Sequence, residues 1–246
     1  MRNGIRVGAV LLFVLGLGCA DAEAVQVYFN DFDGPAVVAS GVIATFGGAG
    51  APESVASYPP PFSGNFFRNT TGGTPVGTPG LPTTLTLSGL PAHTSLDINL
   101  LLAAIDSWDS SNGAPAPDFF NVVVDGVNQF QGTWANASGS INTVASFAGP
   151  APLCCTAGGG FFDNDRGIDL GPVASLSAIP HTASTVTILF LADGGGWQGG
   201  ADESWAIDNL QVVVNDRVAA VPEPTTLLLL GSGLAALGVF RNRKRR

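Results

Sequence analysis

An all-β body, a two-sheet jelly-roll-like sandwich, is what the sequence predicts, and three observations carry it. Short runs rich in valine, leucine, isoleucine, threonine and phenylalanine recur, glycine and proline separate them, and no run holds a convincing helical period. The chain of 246 residues contains 33 glycines and 17 prolines, enough breakers to keep regular elements short. The clearest strands are expected at 25–30, 83–88, 95–105, 119–125, 185–191 and 205–214. In the second of these, Leu85 and Leu87 fall on one face and the threonines on the other, the period of two of a half-buried strand. Val212, Val213 and Val214 run together and suit a strand covered on both faces. So many strands favour two packed sheets, because a single open sheet leaves one apolar face in water. The first strand and the last, 207–214, are expected to lie side by side. The stretches 52–82 and 148–171 read as long glycine-rich loops, a frequent seat of function.

The two ends read as addresses. Residues 1–24 place Arg2 and Arg6 before an apolar run at 7–17, then small residues at Ala22 and Ala24. That is the order of a signal peptide with a helical apolar segment, and Ala22-Glu23-Ala24 puts cleavage before Val25. Ala20-Asp21-Ala22 is a competing cleavage site, and Cys19 offers a lipoprotein alternative, although Gly16 stands where such signals carry leucine. Residues 221–246 run from Pro222-Glu223-Pro224 through an apolar helix at 227–240 to Arg241, Arg243, Lys244, Arg245 and Arg246. This helix falls short of the ~20 residues that span a bilayer comfortably, and Thr225 and Thr226 extend it. The basic cluster stays cytoplasmic by the positive-inside rule, so the body at 25–220 belongs on the outer face of the membrane.

Val221-Pro222-Glu223-Pro224, the Leu- and Gly-rich helix and the terminal arginines together resemble the PEP-CTERM sorting signal over the last ~26 residues. The resemblance implies an exosortase as partner, a membrane cysteine protease-transpeptidase of Gram-negative bacteria that make extracellular polysaccharide, with cleavage near Pro222 to Pro224. The body resembles a pattern recurrent among such proteins. It has Asn30-Asp31-Phe32 at the start, Ser107-Trp108-Asp109 in a hairpin, and Asp202-Glu203-Ser204-Trp205-Ala206-Ile207-Asp208-Asn209 before the final strand. Similar endings occur in lectin-like and carbohydrate-binding jelly rolls, and no enzymatic activity comes with the pattern.

Charge and motifs narrow the function. Residues 25–220 hold Arg68, Arg166 and Arg217 against 16 acids, a formal −13 that repels phosphate backbones and excludes nucleic acid as a partner. The same surplus suits calcium, which takes six to eight oxygens in flexible geometry. One candidate set is Asp106, Asp109 and Asp118 around the loop DSWDSSNGAPAPD, with Asp125 at the far end of the next strand. A second brings Asp31 and Asp33 from the first strand to Asp202, Glu203 and Asp208 near the last, where jelly-roll carbohydrate-binding modules hold a structural calcium. A third is Asp163-Asn164-Asp165 with Asp169. Each set also reads as a solvated loop whose aspartates bond their own backbone.

Cys154 and Cys155 are adjacent and read as a vicinal disulfide, an interchain bond or free thiols. His93 and His181 have no zinc-like spacing. Of the four tryptophans, Trp197 among Gly194-Gly195-Gly196 is expected exposed, and with Trp134 it is the candidate sugar-stacking platform. No nucleophile elbow, zinc helix or phosphate loop is present, so the chain reads as a non-enzyme. The leading function is an exported structural or adhesive protein of the cell surface or extracellular polysaccharide. The alternatives are a carbohydrate-binding module and a secreted glycan hydrolase built on paired carboxylates.

Overall fold

The computed structural model describes residues 24–54, 62–110, 115–134, 136, 151–152 and 165–215. The signal segment, the sorting tail, Cys154 and Cys155 lie outside the described residues. Among the described residues fourteen strands follow in order: β1 (Ala24–Asn30), β2 (Val37–Val38), β3 (Ile43–Gly48), β4 (Ala51–Ser54), β5 (Asn65–Asn69), β6 (Thr83–Ser88) and β7 (Ser95–Asp106) come first. Then come β8 (Phe119–Val124), β9 (Val127–Gly132), β10 (Ala151–Pro152), β11 (Arg166–Asp169), β12 (Ile179–Pro180), β13 (Thr185–Asp193) and β14 (Glu203–Asn215). Among the described residues a single 3-10 turn, Ala174–Leu176, interrupts the β structure. Among the described residues no helix is long and apolar enough to cross a membrane.

The strands form two antiparallel sheets. One runs β10-β11-β7-β14-β1-β2, with β12 on β7, β5 on β14 and β4 on β5, and the other runs β3-β6-β13-β8-β9. One continuous apolar cluster draws on both, including Val27, Ile98, Leu102 and Val212 from the first and Leu85, Phe120, Val186 and Ile188 from the second. Burying side chains of this size fully stabilises by about 1.5–3 kcal/mol each, which is why the facing surfaces are almost entirely aliphatic and aromatic. The first and last strands pair as expected, from Ala24 opposite Asn215 to Asn30 opposite Leu210. The expected alternation in β6 also holds, with Leu85 and Leu87 buried and Thr84 and Thr86 half-buried.

Two expectations are corrected. Val212–Val214 is not covered on both faces, because Val213 is half-exposed between two buried valines. Double coverage falls instead on the first half of β14, from Glu203 to Asp208. There the outer face of the larger sheet carries a second apolar cluster, in which Phe62 and Phe66 cover Leu101, Ala103, Ile105 and Ala206. The stretches read as loops hold strands of their own, β4 and β5 in the first and β10 and β11 in the second.

Close approach between loops at one end depends on glycine. Gly73 has φ +76, and a Cβ there would stand 1.7 Å from the Gln198 carbonyl oxygen. The Gly73 N–H bonds the Thr78 carbonyl at 2.8 Å, and the Gly77 N–H bonds the Trp197 carbonyl at 2.8 Å, so the 70–82 segment lies on the 194–202 loop. Gly73→Ala is expected to lower stability by at least about 1–3 kcal/mol from the backbone conformation alone, before the overlap is counted. Urea denaturation against the parent measures it; an unchanged midpoint would show that the two loops do not pack this closely.

Candidate metal centre

Two loops and the start of a long strand meet at that end. Asp109 lies just beyond β7 and Asp118 just before β8, and their backbones close the intervening loop, with the Asp118 N–H bonded to the Asp109 carbonyl at 2.9 Å. The Asp109 N–H in turn donates to Asp118 Oδ2. Glu203 opens β14, where the antiparallel register sets it opposite Asp106 at the end of β7. Carboxylate oxygens of Asp109, Asp118 and Glu203 consequently lie within 4.8 Å of one another. Asp118 and Glu203 are fully buried and Asp109 is half-buried.

Electrostatics at this cluster are unfavourable without a partner. Burial pushes the Asp118 carboxyl up, and the neighbouring Glu203 carboxylate pushes it further. Burial also raises Glu203, against the pull of the Gln198 N–H, which donates to Oε2 at 2.7 Å. Asp118 Oδ1 has no hydrogen-bond donor, nor does Ser110 Oγ beside Asp109.

The tryptophans pack around the same end, inside the protein. Trp197 is 0% exposed and Trp134 2%, so neither forms the surface platform expected of them. Trp108 stands between them, with ring centroids 5.4 Å from Trp197 and 6.0 Å from Trp134, both edge-on. Two of the indole N–H groups find carbonyls: Trp108 Nε1 donates to Ser204 at 2.6 Å and Trp197 Nε1 to Thr71 at 3.0 Å. The glycines around Trp197 explain the reversal. A Cβ on Gly72 would stand 2.7 Å from the Trp197 ring nitrogen, and one on Gly196 would stand 2.6 Å from the Ala116 Cα. Glycine here lets backbone close over the ring rather than leaving it in water.

The other expected acids go elsewhere. Asp106 turns to the outer face of the sheet, where its Oδ2 meets Arg68 Nη2 at 3.0 Å and accepts from the Ser204 hydroxyl at 3.3 Å. Burial raises its carboxyl, and Arg68 opposes the rise. Asp202 accepts from the Ser107 hydroxyl at 2.9 Å. Asp165 is buried and accepts from the Asp106 N–H at 2.7 Å, while Asp169 accepts from the Gly171 N–H in a turn. Asp163 and Asn164 lie outside the described residues. Asp125 lies 3.2 Å from His181 Nε2, and the two histidines, far apart in sequence, stack with centroids 4.9 Å apart.

Asp31, Asp33 and Asp208 share a second acidic neighbourhood. Asp208 sits at a register shift in β14, beside Asn209 at φ 50, and its Oδ1 accepts from the Asn209 N–H at 2.6 Å. Its Oδ2 is buried without a partner. Burial pushes the carboxyl up to about 7, with Asp33 and Asp31 adding to the rise. Asp33 is occupied by the Asn65 N–H at 2.6 Å and Asp31 by the Asp33 N–H at 3.2 Å. Among the described residues, only Asp109, Asp118 and Glu203 bring three ligand atoms together.

Residues 220–245 match the PEP-CTERM protein-sorting motif. That match implies an exported, membrane-anchored precursor processed by an exosortase for display at the cell surface. The matched segment begins five residues beyond the end of β14 at Asn215, so the tether follows directly on a strand inside the larger sheet. No curated protein matches the chain.

Proposed function

We propose that this is a structural or adhesive protein of the cell surface or extracellular polysaccharide matrix of a Gram-negative bacterium. Its body would be a non-catalytic jelly roll, delivered by the signal segment at 1–24 and released by exosortase cleavage near Pro222 to Pro224. The observation that carries the reading is the sorting motif placed directly after the final strand. Strand order supports the jelly roll. β11-β7-β14-β1 faces β6-β13-β8-β9, and the chain passes repeatedly from one sheet to the other. The buried acids favour a structural over a hydrolytic role. Glycoside hydrolysis uses two carboxyls about 5–9.5 Å apart with room for a sugar between them, whereas Asp118 and Glu203 are closer and fully buried.

Replacing Pro222, Glu223 and Pro224 with alanine is expected to leave a full-length precursor in the inner membrane. The parent should lose its basic tail and appear at the surface, both followed by fractionation and mass spectrometry in a host with exosortase. In a host unable to make extracellular polysaccharide, the processed protein should move from the matrix to the medium. Equal retention in both hosts would remove polysaccharide from the proposal while leaving the sorting route intact.

A further inference from the structure

A group of acids is by itself an ordinary feature of a chain this acidic, but at Asp109, Asp118 and Glu203 a second observation accompanies it. Asp118 is 0% exposed and its Oδ1 receives no hydrogen bond. A buried carboxylate oxygen without a donor is costly unless a cation or a proton meets it. The charged groups acting on Asp118 are Glu203 and Asp109, both acids, and without a cation Asp118 and Glu203 meet side chain to side chain over a shared proton. We infer that Asp109, Asp118 and Glu203 hold a divalent hard cation, calcium by preference, which ties the loop between β7 and β8 to the start of β14.

The chemistry of the donors selects the ion. All three offer carboxylate oxygen and no nitrogen or sulfur, which suits calcium or magnesium rather than zinc or copper. Two oxygens on opposite sides of a calcium at about 2.4 Å lie about 4.8 Å apart, and the mutual separations here stay within 4.8 Å. Asp118 Oδ2 and Glu203 Oε2 are already held by the backbone N–H groups of Asp109 and Gln198, which fixes both carboxylates in place. Asp118 Oδ1 is then the buried ligand, and half-buried Asp109 lies on the side from which an ion enters. Calcium fits better than magnesium because it tolerates an irregular sphere completed by water, whereas magnesium demands a tight octahedron. Burial above all holds Asp118 and Glu203 above the ordinary carboxylate range, with Glu203 adding to the rise at Asp118 and Asp202 to that at Glu203, and a bound cation would offset that cost. This inference does not depend on the polysaccharide reading, since it concerns only how the body is held together.

The test uses the full chain, purified in mild detergent and stripped with a chelator. Calcium chloride at 100 times its dissociation constant is expected to raise the Tm by about 5–10 °C, with a smaller rise from magnesium. Terbium chloride should give emission sensitised by the tryptophans beside the site. At alkaline pH, where the parent carboxyls would ionise, Asp118→Asn and Glu203→Gln should each raise the Tm of the stripped protein, because a buried charge is gone. Each should also abolish both the calcium shift and the terbium emission. Asp208→Asn should retain the calcium shift. If Asp118→Asn does not fold, Glu203→Gln carries the same comparison. An unchanged melt in calcium, or a parental calcium shift in the Asp118 and Glu203 variants, overturns the inference. Loss of the shift in Asp208→Asn with its retention in Asp118→Asn overturns it too, and moves the ion to the strand-end acids.

Discussion

Arg68→Met should lower the stability of the folded protein by about 3–5 kcal/mol, the range for removing one partner of a buried ion pair. Arg68 is one of three cations in residues 25–220. It lies on β5 against β14, its side chain 14% exposed, with Asp106 at 3.0 Å and the Ser204 hydroxyl at 2.7 and 2.9 Å. Glu53, at 3.5 Å and largely exposed, contributes little by comparison. Methionine fills much of the same volume, so the cost arises mainly from leaving Asp106, 4% exposed, without its counter-charge. Adding Asp106→Asn to Arg68→Met should recover a large part of the loss, since a neutral amide needs no cation. The double-mutant cycle, read from urea melts, isolates that coupling. A loss below about 1 kcal/mol in Arg68→Met would mean the pair behaves as a solvated surface contact.

The strands readable from sequence are those whose pattern is local and apolar. β6, β7, β8, β13 and β14 each alternate or run apolar over at least six residues, and their expected bounds lie within about two residues of the observed ones. β5, Asn65–Asn69, was hidden because its polar residues are satisfied by partners far away in sequence. Arg68 reaches Asp106 and Ser204, and the Asn69 amide donates to the Leu81 carbonyl at 2.9 Å and the Thr83 hydroxyl at 3.1 Å. The Arg68 partners lie outside any pattern window around the strand, so the segment reads as loop. The two-residue strands β2, β10 and β12 carry too few residues for any period to register.

The acidic centre was half legible for a related reason. Spacing groups Asp109 with Asp118 because one loop separates them, and it groups Glu203 with Asp202 and Asp208 because they are neighbours in the chain. The register between β7 and β14 cuts across both groupings, setting Glu203 opposite Asp106. It sends Asp106 to Arg68 and leaves Asp109 and Asp118 to Glu203. Strand pairing, not spacing, decides which acids meet. The signal that could have found Glu203 is chemical: it comes just after Gly199-Gly200, in a turn tight enough for the Gln198 N–H to reach its carboxylate.

Chelated protein should be less stable at pH 8 than at pH 5 by a few kcal/mol, a difference in Tm of about 5–10 °C. Asp208 sets the window. Its carboxyl is pushed up to about 7 in the folded chain, chiefly by burial, whereas in the unfolded chain it titrates near the ordinary ~4. The groups facing it with like charge are Asp33 and Asp31, and the N–H groups of Asn209 and Ser63 partly offset the rise. Between about pH 4 and 7 the folded state binds a proton that the unfolded state has released, so stability falls as pH rises. The contribution is fully present below the unfolded value and lost through the folded one. Asp118 and Glu203, also raised, act in the same direction. Asp208→Asn removes its ionisation and should flatten part of the slope, raising stability at pH 8 while changing little at pH 5. Calcium should flatten the portion that belongs to Asp118 and Glu203, since a bound cation holds both ionised across the range. Thermal melts in chelator and in calcium at both pH values separate these contributions. A stability that rises from pH 5 to pH 8 in chelator would show that these carboxyls are solvated in the folded protein and ionise as ordinary acids.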